Sequence, residues 1–290
     1  MTTKHTASPT STSPPRPQAP WRIGVDVGGT FTDLVLADAT GETWVAKVPS
    51  VPTDPSRGVV SAIQRVATDL TLSQQQVLES CTLFVHGSTI ATNTMLEGKG
   101  AKVGLITTDG FRDTLEIRRG LREDQFNHRQ PYPPVLVPRY LRRSIPERID
   151  STGNEVLPLK LDELKDVVTA FEAEGVEAIA ITLMNSFLND THECELAEAL
   201  SELWSGNWIT RSAAVSPLMG EYERTSTAVV NASLLPRIAA YLRSLDSELA
   251  ATGLRRPILL VQSNGGAASV EQLAGRPVNL LLSGPAAAVG

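Results

Sequence analysis

Cysteine is scarce: only Cys81 and Cys194 occur in 290 residues, too few and too far apart for a disulfide framework or a cysteine metal site. That usage fits a reducing cytoplasm. Basic residues are outnumbered, 26 Lys and Arg against 32 Asp and Glu, leaving a formal charge of -6 and an isoelectric point near 5.3. No broad positive field is offered to phosphate backbones, which argues against nucleic acid as a partner. Every apolar run is broken by polar residues well short of the ~20 a membrane helix needs, so no membrane span is expected. Met1 to Pro20 is a Thr/Ser/Pro tract without the apolar block of a signal peptide, and reads as a disordered tail. Aromatics are also few, at 5%, but 41% hydrophobic and 20% charged residues suit a globular chain with a substantial core. Disorder throughout and collagen-like repeats are excluded, and the length suggests two domains or one large bilobed unit.

The pattern that follows is α/β. Trp21–Val27, the run from Thr30 to Asp38, and Thr43–Val48 read as three strands joined by tight turns, an antiparallel meander. Pro55 opens a helix with Val59, Val60, Ile63 and Val66 on one face. Thr82–Val85 reads as a buried strand ending at His86, Ile90–Leu96 as a helix, and Val103–Thr108 as another strand. Asp109 to Pro138 has no clean period and is rich in Arg and Pro, the signature of a long irregular loop of the lid or binding kind. Helix, strand and helix return at Leu161–Glu174, Ala178–Leu183 and Thr191–Trp204. A lobe boundary is placed near residue 212. Beyond it a long helix, Glu221 to about Thr252, is expected to be interrupted at Pro236, and two further strands, Pro257–Val261 and Val278–Leu282, each run into a polar, glycine-bearing turn.

The sharpest local signal is Asp26-Val27-Gly28-Gly29-Thr30-Phe31-Thr32-Asp33 between two strands. Adjacent glycines let a main chain approach a ligand with no Cβ in the way, and turn amides can cradle an anion, aided by the hydroxyls of Thr30 and Thr32. Asp26 is placed to bind a hydrated Mg²⁺, which takes one or two carboxylates and keeps several waters. The plain alternative is a hairpin turn. Neither the Walker A nor the Rossmann glycine spacing is present. His86, beside Gly87-Ser88-Thr89, is either a contact to substrate, metal or proton, or a hydrogen-bonded structural histidine. His192 and Cys194 fall on different helix faces and read as structural. Arg112, Arg118, Arg119 and Arg122 lie among acidic residues, as a solvated loop or as a lid gripping a carboxylate or phosphate. Glu223 and Arg224 read as interlobe hydrogen bonding or as surface.

The Asp26 to Asp33 segment resembles the first phosphate loop of the hydantoinase A/5-oxoprolinase family, a branch of the actin-like ATPase superfamily. The resemblance continues in order through His86–Asn93, Gly110–Ile117, Glu147-Arg148-Ile149, Glu221–Thr227, Gln262–Gly266 and Ser283-Gly284-Pro285-Ala286. Gly120-Leu121-Arg122 departs from a glutamine common in the family. The resemblance implies an α/β fold: an actin-like (ribonuclease H-like) lobe with a mixed sheet over 21–211, after a tail at 1–20, and the truncated start of a second similar lobe over 212–290. It implies an ATP-dependent hydrolase that phosphorylates the carbonyl of a cyclic amide such as 5-oxoproline or a hydantoin. Mg²⁺ or another divalent metal would assist, and a hydantoinase B-like subunit would be partner. Asp26 and His86 would then be catalytic, Asp26 holding metal. Gly28, Gly29, Thr30, Thr32, Ser283 and Gly284 would hold nucleotide, and Ser88, Thr89, Asn93, Arg119, Asn264 and Gly265 substrate. A chain ending at Gly290 is expected to be a fragment, inactive alone. Rival readings are an acetone carboxylase β-type subunit activating a ketone or bicarbonate, a noncatalytic binding remnant, and, third, a sugar kinase.

Overall fold

The computed structural model describes residues 18–120, 124, 126–127, 129–130 and 133–283. The meander forms as expected: β1 (Trp21–Val27), β2 (Phe31–Ala37) and β3 (Thr43–Pro49) pair antiparallel, with Leu34 opposite Val25 on one side and Ala46 on the other. Period-two alternation buries Trp21, Ile23, Val25 and Val27 on one face of β1 and turns Arg22 and Asp26 to the other. Helix α1 (Pro55–Asp69) starts on Pro55, whose missing N–H costs nothing in the first turn, and lays Val59, Ala62, Ile63 and Val66 against that buried face. A short α2 (Gln74–Glu79), begun by a Ser73–Gln76 capping box, leads to β4 (Cys81–Ser88), parallel to β1. Helix α3 (Ile90–Leu96) follows.

The chain then leaves this sheet to build another. Its strands are β5 (Val103–Thr108), β6 (Arg142–Ile145), β9 (Ala178–Thr182) and β10 (Ile209–Arg211), in the order β10-β9-β5-β6 and all parallel. Between them lie α4 (Thr114–Ile117), a small hairpin of β7 (Arg148–Ile149) and β8 (Glu155–Leu157), α5 (Leu164–Ala173) and α6 (Thr191–Leu203). Gly104 lets α5 lie close: a Cβ there would stand 2.7 Å from the Phe171 ring.

After α7 (Ser212–Val215), α8 (Glu221–Thr252) runs 32 residues without a break. The expected interruption at Pro236 does not occur, because buried Leu234, Leu235 and Ile238 hold the helix on both sides of the proline. One helix serves two cores: Ala228, Val229 and Ala232 pack with the second sheet, Leu234, Ile238, Leu242, Leu245 and Leu249 with the first. Strand β11 (Ile258–Val261) then pairs with β4 and carries β12 (Ala267–Ser269), followed by α9 (Val270–Leu273), giving a six-stranded mixed sheet ordered β12-β11-β4-β1-β2-β3. The chain beyond residue 212 thus completes the sheet that residue 21 began, and the second sheet is inserted between β4 and β11. The strand expected at 278–282 is instead a 3-10 turn, Pro277–Leu280. Pro277 cannot donate to a ladder, and the Val278 N–H goes to the Asn231 side chain at 3.3 Å.

Candidate functional site

Because β1, β4 and β11 are parallel, their carboxyl ends share one edge of the six-stranded sheet, the place where α/β sheets set ligand loops. The Gly28-Gly29-Thr30 turn closes there with Gly28 N–H donating to the Phe31 carbonyl at 3.0 Å. A Cβ on Gly28 would lie 3.1 Å from that carbonyl oxygen, and one on Gly29 would lie 3.2 Å from Asn93 Nδ2. Glycine is therefore what allows the turn and α3 to meet. Ser50, just past β3, braces the turn. Its N–H donates to the Thr30 carbonyl (2.9 Å), its hydroxyl to the Gly28 carbonyl (2.8 Å), and the hydroxyls of Ser50 and Thr32 are 3.0 Å apart. Gly29 and Thr30 remain exposed, with the turn fixed behind them.

Asp26 projects from the face opposite the core, across from Asp33, which is paired with Lys47 at 2.9 Å. Desolvation, and then the charge of Asp33, raise the Asp26 carboxyl above its ordinary range. Gly87 lies alongside, where a Cβ would come 3.1 Å from Asp26 Oδ1. On the next strand, Ser88 Oγ accepts from Ile90 N–H (3.1 Å), Thr89 donates to the Val27 carbonyl through both its N–H (3.0 Å) and its hydroxyl (3.3 Å), and Asn93 Nδ2 donates to Thr89 Oγ1 (3.2 Å). Asn264 and Gly265 form the exposed turn between β11 and β12, with Gly265 at φ +80°, a conformation that favours glycine. The buried Ser283 hydroxyl donates to the Ser88 carbonyl at 3.1 Å.

Ten of the expected residues are thus gathered at one edge: Asp26, Gly28, Gly29, Thr30, Ser88, Thr89, Asn93, Asn264, Gly265 and Ser283. Three are placed otherwise. His86 is 1% exposed and points into the core, the face opposite Asp26, where its Nε2 is 2.7 Å from the Tyr241 hydroxyl of α8. Burial pushes its pKa down to about 4, over a weaker opposing contact with the Val25 backbone. Strand alternation puts adjacent side chains on opposite faces, so His86 is a tie between β4 and α8 and does not line the edge. Thr32, fully buried, braces Ser50 and α1. Arg119 pairs with Glu223 on α8, about 27 Å along that helix from Tyr241 at ~1.5 Å per residue. Gly284 lies outside the described residues.

In the arginine-rich segment Arg112 donates to the Arg139 carbonyl at 2.8 Å, and the acidic residues Asp113 and Glu116 are taken by arginines that follow the segment. Arg139 makes a two-pronged contact to Asp113 (2.9 and 3.1 Å), and buried Arg142 reaches Glu116 at 3.1 Å and the Val137 carbonyl at 2.9 Å. Arg122 lies outside the described residues. Sequence reading missed Ser50, a lone serine after a strand that carries no motif. It also missed Gly58 of α1, where a Cβ would meet Thr32 Oγ1 at 2.6 Å.

Exposed turn amides, a carboxylate with a raised pKa and a hydroxyl-lined second wall can take an oxyanion with a hydrated cation. Among the described residues no three His, Cys, Asp or Glu side chains gather into a metal cage; Mg²⁺ needs only one or two carboxylates, which Asp26 and Asp33 offer. No helix among the described residues is long and apolar enough to cross a membrane.

The chain is 38% identical over 270 residues to the caprolactamase subunit alpha of Pseudomonas jessenii, covering 92% of this chain and 39% of that protein. Among solved structures it resembles a nucleotide-free acetone carboxylase, with TM-score 0.85, 26% identity and coverage of 93% of this chain and 40% of the other. It also resembles the ATP-dependent caprolactamase of Pseudomonas jessenii, with TM-score 0.81, 37% identity and coverage of 92% and 39%. The chain spans about two fifths of the length of these proteins. Residues 22–204 match the family described as hydantoinase/oxoprolinase N-terminal region and residues 224–290 the one described as hydantoinase/oxoprolinase. With its mixed-sheet α/β fold of actin-like ATPase type, the chain belongs to the hydantoinase/oxoprolinase family.

Proposed function

We propose that this chain supplies one wall of the phosphate site of an enzyme that uses ATP to activate the carbonyl of a cyclic amide for hydrolysis. The observation that carries the reading is the Gly28-Gly29-Thr30 turn, braced by Ser50 and exposed beside Asp26 at the shared strand edge. A lactam carbonyl is a poor electrophile. Its oxygen attacks the γ-phosphorus, an O–P bond forms, and the bond to the β-phosphate oxygen breaks to release ADP. Water then adds at the carbonyl carbon and the C–N bond opens to leave an acyl phosphate and the ring amine; a second water adds at the same carbon, and phosphate departs with the original carbonyl oxygen, leaving a carboxylate.

In this scheme the Gly29 and Thr30 amides and the Thr30 hydroxyl steady the transferred phosphate. Asp26, with Asp33 near it, would hold Mg²⁺, which would supply charge neutralisation. Ser283, with Gly284, completes the nucleotide side, and Ser88, Thr89, Asn93, Asn264 and Gly265 form the substrate side. His86 and Arg119 are left out of direct contact. The remaining walls, and a hydantoinase B-like partner, belong to the proposal through the family. A cytoplasmic location is part of the same reading, suggested by the sparse cysteines.

A second reading is activation of a ketone or bicarbonate, supported by the likeness to acetone carboxylase. In both, an oxygen of the activated molecule takes the phosphoryl group. The test uses the complete protein with its partner, ATP and a panel of 5-oxoproline, hydantoin, caprolactam, acetone and bicarbonate, each labelled with ¹⁸O. Transfer of label from a lactam carbonyl to inorganic phosphate supports cyclic-amide activation. Label from acetone or bicarbonate alone supports the second reading, and calorimetry showing no Mg-ATP binding would argue for a noncatalytic role.

A further inference from the structure

The second sheet carries a cavity at its other end. Helix α5 returns to β9 through residues 174–177, and α6 returns to β10 through 204–208; β9 and β10 are parallel neighbours, so the two turns meet at their amino ends. A cavity of about 540 Å³ lies there, walled by Glu172, Glu177, Trp204, Ser205 and Trp208. That size falls within the roughly 300–1,000 Å³ of small-molecule sites. Two indoles form part of the wall. Trp204, 5% exposed, is overlaid by Gly206, where a Cβ would stand 2.3 Å from its Cζ2, and its indole N–H makes no hydrogen bond among the described residues. Trp208 has the Arg243 guanidinium of α8 5.4 Å over its ring, so this indole already takes a cation against its π face.

The charges indicate the occupant. Both helices end at this cavity, and a helix C-terminus, with its unsatisfied carbonyls, favours cations. Neither α5 nor α6 has a basic residue in its last turn; Glu172 and Glu202 stand there instead, with Glu177 just beyond α5. Glu172 accepts from the Ser205 hydroxyl at 3.1 Å and Glu177 from the Lys102 N–H at 2.8 Å, and neither carboxylate has an ion-pair partner among the described residues. The Lys102 ammonium is spent on Glu174, at 3.3 Å from its carboxylate. Acids placed against the dipole of two helices break a local rule, and such breaks concentrate where a site requires them. A bare metal ion finds no cage, since no three His, Cys, Asp or Glu among the described residues gather to hold one. An organic cation fits, because indole faces and carboxylates together favour an alkylated ammonium.

We propose that this cavity binds a small alkylated ammonium compound carrying an oxygen acceptor. The cation sits by the Glu172 and Glu177 carboxylates and against the indoles, and the oxygen accepts from the Trp204 N–H. The cavity belongs to the sheet that does not carry the glycine turn, so the site is separate from that turn and does not rest on the reaction proposed above.

The test is an NMR titration of the full chain, without nucleotide, using choline and 3,3-dimethyl-1-butanol, which share shape and hydroxyl and differ in charge. Choline is expected to shift the indole signals of Trp204 and Trp208 saturably, in the millimolar range appropriate to so small a ligand, and the neutral alcohol is not. Glu172→Gln combined with Glu177→Gln should weaken choline binding about tenfold or more; glutamine keeps an oxygen acceptor for Ser205 and the Lys102 N–H, so the fold is retained. Glu163→Gln, an equal loss of charge at the opposite end of α5, should bind choline like the parent. An absent choline response, an equal response to the neutral alcohol, undiminished binding in the double glutamine variant, or the same loss in Glu163→Gln would each overturn the proposal.

Discussion

The Ser50 hydroxyl donates to the Gly28 carbonyl at 2.8 Å, which fixes the glycine turn from behind while Gly29 and Thr30 stay exposed. Ser50→Ala leaves that acceptor and Thr32 short of a partner and is expected to cost about 1 kcal/mol. Urea unfolding should show the loss. If the turn holds phosphate, calorimetric affinity for Mg-ATP should also fall, by roughly five- to tenfold; unchanged stability and affinity would mean the bond is idle.

At Gly58 the contact is steric. An added Cβ would lie 2.6 Å from Thr32 Oγ1, and a buried β-branched side chain between strand and helix has little room to move. Gly58→Ala is expected to lower stability by about 1–3 kcal/mol, although alanine is the better helix former. A rise in Tm would refute the tight contact.

Asp26→Asn should separate stability from binding. Desolvation and Asp33 raise the Asp26 carboxyl, so at neutral pH its ionised form is disfavoured by folding. The asparagine variant is expected to be as stable as the parent or slightly more so, and to lose most Mg-dependent ATP affinity. A destabilised variant with intact affinity would contradict both halves.

The two buried histidines titrate in opposite senses. His86, held down to about 4 by burial, is neutral when folded, whereas the unfolded chain binds the proton near 6.5. Stability should therefore fall as pH drops from about 6.5 toward 4, by up to roughly 3 kcal/mol for this group. His192 lies between Glu147 (2.8 Å) and Glu155 (3.0 Å); burial opposes its charge, but the two carboxylates prevail and raise its pKa. Its contribution is complete below the unfolded value and is lost as pH rises through the folded one. Guanidinium midpoints measured against pH should show His86→Asn flattening the acid limb and His192→Gln flattening the alkaline limb.

The Tyr241 tie gives a cleaner test of what His86 does. Tyr241→Phe removes the 2.7 Å partner and is expected to cost about 1–2 kcal/mol. In the complete enzyme, turnover under native conditions should stay close to parent; a large fall in kcat without a fall in stability would restore a chemical role for His86.

The legible parts of the fold were those with local causes. Strand composition, alternation in β2 and the tight turns between them gave β1, β2 and β3, and Pro55 marked the start of α1. Failures came where distant residues decide. Pro236 argues for a broken helix until packing on both flanks is counted, and the apolar run at 278–282 reads as a strand until Asn231 claims the Val278 N–H. The glycine turn was legible because closeness of approach is written in residue type. His86 was not, since the same motif is compatible with either face of a strand.

By itself, then, the sequence determined the periodicities of the strands and helices, the glycine turn with Asp26, and the family, because each is carried by neighbouring residues. Only the tertiary structure decided that β11 completes the first sheet, that His86 faces the core while Asp26 faces the edge, and that α8 stays whole through Pro236. Those outcomes depend on hydrogen-bond register and on one 32-residue helix packing against two cores, pairings between residues far apart in the chain that no local pattern encodes.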